Sequence, residues 1–262
     1  MTEEPNPTMT DKAATPPHPV LSAYYKDPKS RQDFVQSIFD RTARHYDRIN
    51  AIFSLGSGRW YRRWMLRRVG LKAGDKVLDV ATGTGLVARE AARIAGKNNI
   101  IGLDMSAGML AQCRQNLPIA LVQADAQHLP FPDACLDFLS MGYALRHVSD
   151  LRKTFIAYRR VLKPGGHVLI LEIGRANNPS IQAFLKFYLG RVVPLLSGIA
   201  ATRDSRKLME YYWDTIAECV PPHEIMQNLR DAGLENVRRY TSFGVFHAYA
   251  AQAPRDNAPQ RS

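Results

Sequence analysis

The stretch that decides the fold is Asp79-Val80-Ala81-Thr82-Gly83-Thr84-Gly85. It follows an apolar run that predicts a β-strand, and it precedes Leu86–Ala95, which has the apolar spacing of an α-helix. Small residues in such a turn allow backbone N–H groups to approach a ligand closely, and the start of a helix favours a negatively charged group. The turn therefore predicts a cofactor-binding site at the carboxyl end of a strand.

Outward from this turn, short apolar strands alternate with longer helical segments. The predicted strands are Lys76–Val80, Ile100–Leu103, Ala120–Gln123, Phe138–Met141 and Val168–Glu172. The predicted helices between them are Leu86–Ala95, Ala107–Asn116 and Leu151–Leu162, the last ended by Lys163-Pro164-Gly165-Gly166. Several strands are apolar on consecutive residues, as expected when both faces of a parallel sheet are covered. The alternation predicts a Rossmann-like, doubly wound α/β fold.

The rest of the chain predicts additions to this core and two tails. The additions are helical patterns at about 30–50 and 59–69, a helix-rich insertion at about 180–215, and a helix followed by strands at 222–251. We interpret 20–253 as a single domain, with a disordered tail at 1–19 and a flexible tail at 254–262. The additions are expected to form a lid over the carboxyl edge of the sheet, where ligands bind in open α/β sheets.

Acidic residues follow two of the other predicted strands. Asp104 lies where a carboxylate can accept both hydroxyls of a ribose, and Asp125-Ala126 can offer a carboxylate and a backbone amide to an adenine. A glycine turn followed by an acid about twenty residues later also fits a nicotinamide dinucleotide, and a purely structural glycine turn is a further alternative. Asp79 favours S-adenosylmethionine, because a carboxylate at this position would repel a pyrophosphate and attract an ammonium and a sulfonium.

Composition narrows the partners and the location. The 262 residues are 45% hydrophobic and carry a formal net charge of +11. This charge suggests a membrane surface, a nucleic acid or an acidic substrate as partner, or only a well-solvated surface. Three scattered cysteines are typical of reduced thiols in a cytosolic protein. We expect a cytoplasmic location, because we find neither a secretory signal nor an apolar run of roughly 18 residues.

Four motifs together resemble the class I S-adenosylmethionine-dependent methyltransferases. They are Asp79-Val-Ala-Thr-Gly-Thr-Gly85, Asp104-Met-Ser-Ala-Gly-Met-Leu110, Asp125-Ala-Gln-His-Leu-Pro-Phe-Pro-Asp133 and Arg160-Val-Leu-Lys-Pro-Gly-Gly166. Within that class the chain is similar to the ubiquinone/menaquinone biosynthesis C-methyltransferases, through Phe39–Asn50, Tyr143–Val148 and Leu171–Gly174. The resemblance implies S-adenosylmethionine as cofactor and a seven-stranded sheet with an antiparallel last strand. The predicted cofactor-binding residues are Tyr46, Asp79, Ala81, Thr82, Gly83, Gly85, Asp104, Met105, Asp125 and Ala126.

The departures from the family pattern lie in the parts that face the substrate. The family's Phe-Gly-Leu-Arg-Asn is Tyr143-Ala-Leu-Arg-His147 here, and its Tyr-x-Tyr-Leu-x-x-Ser stretch is replaced by Met209–Ile216. By resemblance, Arg146 orients a water molecule or stabilises a developing oxyanion, and His147 stands where the family has asparagine. A neutral imidazole can accept a proton, so His147 is a candidate general base, with hydrogen bonding alone as the alternative. Tyr46 also fits an ordinary packing role.

These observations predict methylation of a quinol, or another hydrophobic small molecule, at carbon. Two other functions stay open at this point. One is methylation of oxygen or nitrogen, including a phospholipid amine, which the basic charge also suits. The other is a non-catalytic, cofactor-binding accessory protein of a lipid or quinone synthesis complex.

Two further segments concern the partners. The basic stretch Arg59–Lys72 includes three aromatic residues and predicts contact with anionic lipid headgroups, with a solvated helix face as the alternative. The apolar segment Phe184–Ala201 predicts a substrate tunnel or membrane contact, with a packed helix as the alternative. Nucleic acid is not an expected partner because no RNA-binding module is evident, and no residue cluster predicts a metal. Whether the chain forms a homodimer stays open.

Overall fold

A computed structural model describes residues 14–53, 57–175, 178–192 and 203–255. The predicted N-terminal tail up to residue 13, the C-terminal tail from residue 256, and residues 193–202 of the predicted insertion lie outside the described residues. No helix in the described part combines the length and apolarity needed to cross a bilayer.

Helices and strands alternate through the core as the apolar spacing predicts. The helices are α1 Pro28–Phe53, α2 Gly58–Val69, α3 Leu86–Ala95, α4 Ala107–Asn116, α5 Leu151–Val161, α6 Pro179–Phe187, α7 Arg203–Ala217 and α8 Pro222–Asp231. The strands are β1 Val77–Val80, β2 Ile100–Asp104, β3 Ala120–Gln123, β4 Leu136–Gly142, β5 Leu162–Ile173, β6 Glu235–Ser242 and β7 Phe246–Gln252. Helices α3 and α4 and strand β3 have the predicted bounds.

The seven strands form one sheet in the order β3-β2-β1-β4-β5-β7-β6. Strands β1 to β5 are parallel, and β7 is antiparallel to both β5 and β6. This confirms the predicted seven-stranded Rossmann-like sheet with an antiparallel last strand. Because β1 lies between β2 and β4, the chain crosses from one half of the sheet to the other beside the glycine turn, the usual ligand position in such sheets.

Both faces of the sheet are covered by helices, so the central strands are buried throughout. All four residues of β1 are buried. Leu78 and Val80 belong to the cluster formed with α5 and α8, whereas Val77 belongs to the cluster formed with α2 and α3. Since neighbouring side chains of a strand point to opposite faces, an apolar run without polar alternation is what two covered faces require.

Strand β5 is longer than the sequence predicts. The motif Lys163-Pro-Gly-Gly166 ends α5 at Val161, as expected, but the strand starts at Leu162 rather than at Val168. Gly165 adopts a positive φ of 76°, and the pairing of β4 with β5 shifts register near Leu136. These irregularities allow a proline and two glycines to lie inside a strand that would otherwise exclude them.

The segment before Pro19 requires a correction to the predicted tail. The prediction ends the disordered tail at residue 19, whereas residues 14–19 pack against the domain. The carbonyl oxygen of Thr15 accepts a hydrogen bond from the Leu151 backbone N–H at 2.9 Å, and that of Pro17 accepts one from Val220 at 2.8 Å. His18 is 1% exposed. Composition gives no signal for such contacts, because the partners lie far away along the chain.

Candidate active site

The glycine turn is held in shape by the carboxylate of Asp79. This side chain is fully buried and accepts hydrogen bonds from the Ser140 hydroxyl at 2.6 Å, the Thr82 hydroxyl at 2.7 Å and the Ala88 backbone N–H at 3.1 Å. Burial raises the pKa of Asp79 to about 6, against the lowering effect of these hydrogen bonds. The Asp79 oxygens therefore brace the turn and the start of α3.

Two glycines of the turn serve different purposes. Gly83 (φ 57°) lies where an added Cβ would meet no atom within 4 Å, so the missing side chain leaves open space. Gly85 (φ 86°) lies where a Cβ would stand 2.7 Å from the sulfur of Cys113. Glycine at 83 thus keeps room for a ligand, while glycine at 85 allows α4 to pack closely against the turn.

Carboxylates from the ends of the next strands stand beside this turn. Asp104 is 8% exposed and accepts backbone hydrogen bonds from Gly83 at 2.8 Å and Ser106 at 2.9 Å. Burial raises its pKa to about 6, although these hydrogen bonds favour the ionised form. Asp125 accepts a hydrogen bond from the Gln127 backbone N–H at 3.0 Å. Two acids therefore reach the same edge of the sheet from separate strands.

A cavity of about 880 Å³, including its open mouth, lies over the carboxyl ends of β1, β2 and β4. We call it the main cavity. Helix α1 contributes to its wall and is tied to the sheet edge by Asp40, which accepts hydrogen bonds from the Ser106 hydroxyl and the Gly108 N–H, and by Asp47, which accepts one from the Thr84 hydroxyl. The predicted lid over the sheet edge is therefore formed in part by α1.

Most of the predicted cofactor residues line this cavity. Those at its wall are Tyr46, Ala81, Gly83, Asp104, Met105, Asp125 and Ala126. Asp79 and Thr82 instead border a neighbouring cavity of about 330 Å³, and Gly85 borders neither of the two. The arrangement fits S-adenosylmethionine, because buried carboxylates for hydroxyl and amine groups stand beside a turn with open space at Gly83.

His147 lies at the wall of the main cavity among aromatic rings. Its Nδ1 is 3.2 Å from the Tyr211 hydroxyl, its ring stacks on Tyr211 and Tyr212, and Phe39 meets it edge-on. The Nε2 atom is buried and has no hydrogen-bond partner among the described residues. Burial, together with the charge of Arg146, holds the pKa of His147 well below 6.5. The imidazole is therefore neutral at pH 7, with one nitrogen available to a ligand.

The side chain of Arg146 does not stand where the sequence reasoning placed it. Its Nε donates to the Glu172 carboxylate at 2.9 Å and its Nη1 to the Thr215 hydroxyl at 2.9 Å, and it is not part of the main cavity's wall. A buried guanidinium needs a carboxylate partner, and Glu172 on β5 supplies one. Arg146 thus joins the sheet to α7.

Sequence reasoning missed three side chains at the cavity wall or next to it. Arg31 on α1 and Tyr143 after β4 line the main cavity, and Tyr211 on α7 holds His147. Arg31 lies among other charged residues of an amphipathic helix, where a solvated side chain is the ordinary expectation. Tyr143 occupies a position within the quoted Tyr143–Val148 segment, so the family pattern could have indicated it.

The lowered histidine pKa values predict an acid-sensitive fold. An unfolded histidine takes up a proton as the pH falls through about 6.5, whereas folded His147 does not, so acidification stabilises the unfolded chain. His18 and His247, with pKa values lowered to about 4, act in the same direction. Asp79 and Asp104 oppose them between about pH 6 and 4, because the folded carboxyls take up protons first.

We therefore expect His147→Asn to reduce the loss of stability on acidification. Below pH 6.5 the variant should lose less unfolding free energy than the wild type, by up to about 1.4 kcal/mol per pH unit. Urea unfolding between pH 7.5 and 5.0 measures this slope, with His128→Asn at an exposed imidazole as the matched control. Equal slopes for His147→Asn and the wild type would show that His147 is not the neutral, buried group described above.

Comparison with known proteins places the chain in a family. Residues 26–251 match the ubiE/COQ5 methyltransferase family. The chain is 33% identical over 222 residues to the ubiquinone/menaquinone biosynthesis C-methyltransferase UbiE of Cellvibrio japonicus, covering 80% of this chain and 87% of that protein. It is 31% identical to the demethylmenaquinone methyltransferase of Symbiobacterium thermophilum, covering 79% of this chain and 86% of that protein.

Solved structures show the same fold at lower identity. An S-adenosylmethionine-dependent methyltransferase of Aquifex aeolicus is 18% identical, with a TM-score of 0.55, over 78% of this chain and 98% of that one. A methyltransferase of Thermotoga maritima, described as a possible histamine N-methyltransferase, reaches a TM-score of 0.60 at 17% identity over 83% of this chain and 99% of that one. The sheet order, the acid-lined cavity beside the glycine turn and the match over residues 26–251 thus agree: the chain belongs to the ubiE/COQ5 methyltransferase family and is an S-adenosylmethionine-dependent methyltransferase.

Proposed function

We propose that this enzyme transfers a methyl group to a ring carbon of a quinol. The observation that carries the proposal is the composition of the main cavity, whose wall combines carboxylates with a set of apolar and aromatic side chains. The apolar and aromatic set includes Val35, Phe39, Met109, Met141, Tyr143 and Val148. Such a wall suits a flat hydrophobic ring, and the names of the relatives from Cellvibrio and Symbiobacterium support a quinone-type acceptor.

Each part of the cavity has its own task in this proposal. Asp104 and Asp125 hold the hydroxyl groups and the base of the cofactor, which supplies a methyl group already activated by a sulfonium. The neutral His147 offers its Nε2 to a hydroxyl of the acceptor. The aromatic rings around His147 exclude water and hold the acceptor ring in line, which is the main contribution a protein makes to such a transfer.

The charges of the cavity favour this acceptor over a phospholipid amine. Arg31 lines the cavity near His147, so the acceptor end carries a cation and a neutral ring. An ammonium or a protonated amine would be repelled there, whereas a hydroxyl would be polarised. Methylation at oxygen remains the second candidate, because the same groups would also activate a hydroxyl oxygen.

Quinone profiling of a strain that lacks this protein tests the proposal in the cell. We expect a quinone without one ring methyl group to accumulate, and wild-type protein to restore the methylated form. An Asp104→Ala variant, produced at the same level, should not restore it if turnover is required. Normal quinones together with altered phospholipid methylation would contradict the proposal.

We also propose that the protein works in the cytoplasm at an anionic membrane surface, which it contacts through α2. Trp60 and Trp64 stack at 5.8 Å and are 68% and 38% exposed. Arg67, Arg68 and Lys72 are exposed in the same stretch, and the Arg68 guanidinium lies 5.3 Å from the centre of the Trp64 ring. A lipophilic acceptor resides in a membrane, and aromatic rings with flanking cations suit its headgroup region.

The basic stretch is only partly available for such contact. Arg62 is buried, with its guanidinium 5.5 Å from the centre of the Tyr143 ring, and Arg59 and Arg63 pair with Glu90. The sequence prediction counted all of these cations as one face. In the structure, the exposed cations left outside these contacts are Arg67, Arg68 and Lys72.

Reversal of those charges should therefore weaken membrane binding. We expect Arg67→Glu/Lys72→Glu to lower affinity for vesicles containing anionic lipid by about 30-fold or more, because each basic residue near the surface contributes roughly 1 kcal/mol and the new carboxylates are repelled. The matched control is Arg114→Glu/Lys153→Glu, which changes the net charge equally on α4 and α5. Sedimentation of the vesicles at two salt concentrations measures the effect. Sedimentation of the protein without vesicles separately reports whether a homodimer forms. Equal weakening by both variants would contradict a specific role of α2.

A further inference from the structure

Arg31 is a buried cation at the wall of the main cavity. Arg31 is 5% exposed, and among the described residues no carboxylate lies within ion-pair distance of its guanidinium. A buried guanidinium without an anionic partner is costly, because the charge has lost its hydration. This unfavourable desolvation free energy falls on a residue at the place where the acceptor is expected to bind.

The guanidinium is fixed by groups that leave part of it free. Its Nη2 donates to the Arg146 carbonyl oxygen at 2.7 Å and to Nε2 of His18 at 2.9 Å. Nδ1 of His18 lies 2.7 Å from the Pro19 carbonyl oxygen, and Nε2 lies 3.0 Å from the Arg146 carbonyl oxygen as well as 2.9 Å from Arg31. The bond from Arg31 requires the tautomer with the proton on Nδ1, because a guanidinium can only donate. Nε of Arg31 has no partner among the described residues. The Tyr211 hydroxyl is also in hydrogen-bond contact with the Arg31 side chain. Nε is thus a buried donor without a partner, in a residue that lines the main cavity.

The charged groups around this position are two arginines and one carboxylate, that of Glu172, which is paired with Arg146. Arg31 on α1 and Arg146 after β4 carry the positive charges, while His18, His147 and the Tyr211 hydroxyl surround them. Both arginines, together with burial, hold the pKa of His147 well below its ordinary value. Burial disfavours any ion here, but the charges of Arg31 and Arg146 favour an anionic oxygen, and both act to lower the pKa of the Tyr211 hydroxyl against the larger raising effect of burial. Geometry and charge thus agree on the sign of the ligand.

We infer that Arg31 binds a ring hydroxyl of the acceptor in its ionised, phenolate form, so that the substrate class is an ionisable hydroxyaromatic ring. This deepens the proposed function and rests on it. On binding, the O–H bond breaks, its electron pair stays on oxygen, and the proton passes to solvent through the open mouth of the cavity. The anionic oxygen donates electron density to the neighbouring ring carbon, which is the atom that must attack a methyl group. His147 then acts as a hydrogen-bonding group rather than as the base.

A coloured phenol tests this inference directly. The probe is 4-nitrophenol, whose phenolate absorbs visible light, titrated with the full chain saturated with S-adenosylhomocysteine. We expect the pKa of the bound probe to fall by about one unit or more below that of the free probe. Arg31→Met should remove the shift and Arg31→Lys should retain part of it. Arg44→Met, an exposed arginine of the same helix, is the matched control and should behave like the wild type.

The outcome of this titration is independent of the outcome of the quinol methylation test. The wild-type titration needs no variant, so misfolding of Arg31→Met cannot obscure it. Absence of a pKa shift in the wild type, or an equal shift in folded Arg31→Met, would overturn the role of Arg31 even if the enzyme methylates a quinol carbon. Failure of the wild type to methylate any quinol would overturn the proposed function while leaving the phenolate site as measured.

Discussion

Replacement of Asp104 with alanine is expected to weaken the binding of S-adenosylhomocysteine by about 100- to 1,000-fold. The carboxylate is buried at the cavity wall and positions the Gly83 N–H of the turn. Hydrogen bonds to a charged group contribute roughly 1.5–3 kcal/mol each, and two ribose hydroxyls would lose their acceptor at once. Titration calorimetry on the full chain measures the affinity.

The control for this prediction is Asp33→Ala, which removes an exposed carboxylate from α1. It should leave the affinity close to that of the wild type. An affinity for S-adenosylhomocysteine that is unchanged in folded Asp104→Ala would show that the cofactor does not use this side of the cavity. Binding of NADH in its place would contradict the cofactor assignment.

The second large effect is expected at the buried ion pair of Arg146 with Glu172. Glu172→Ala leaves a guanidinium that is 2% exposed without its carboxylate, and removal of one partner of a buried pair costs about 3–5 kcal/mol of unfolding free energy. Replacement of both residues with methionine should cost much less, because no uncompensated charge remains. Urea unfolding at pH 7 measures all three proteins.

An exposed ion pair of the same chain supplies the matched control. Arg160 and Asp133 pair at 2.7 Å with side chains that are 39% and 74% exposed. Asp133→Ala should therefore change stability by less than about 1 kcal/mol. If Glu172→Ala is no more destabilising than Asp133→Ala, the pair does not join β5 to α7 as described. The folded double methionine variant also tests whether Arg146 contacts the acceptor. If it does, this variant should lose turnover although it is folded.

The sheet and the cofactor side of the cavity could be predicted because their signals are local. The turn at Asp79–Gly85, the apolar strands and the acids that follow them are fixed by residues close together in the sequence. Once the strand order is right, the carboxyl ends of parallel strands meet at one edge and bring Asp104 and Asp125 to the same cavity.

The acceptor side could not be predicted in the same way, because it depends on contacts between distant segments. The direction of the Arg146 side chain is set by Glu172, and that of Arg31 by His18 in a segment whose composition suggests disorder. The identity of these residues says nothing about their direction. Position 147, singled out by the departure from the family pattern, does line the cavity, although its surroundings make it a weaker base than the sequence suggested.

Methylation of a quinol at carbon can be tested by locating a labelled methyl group in the product. The purified full chain is incubated with S-adenosylmethionine carrying a deuterated methyl group and a chemically reduced, short-chain quinone that lacks one ring methyl group. Mass spectrometry and NMR then locate the label in the product. We expect a new deuterated methyl group bonded to the ring carbon. A label on oxygen, or no transfer by protein that binds the cofactor, would contradict it.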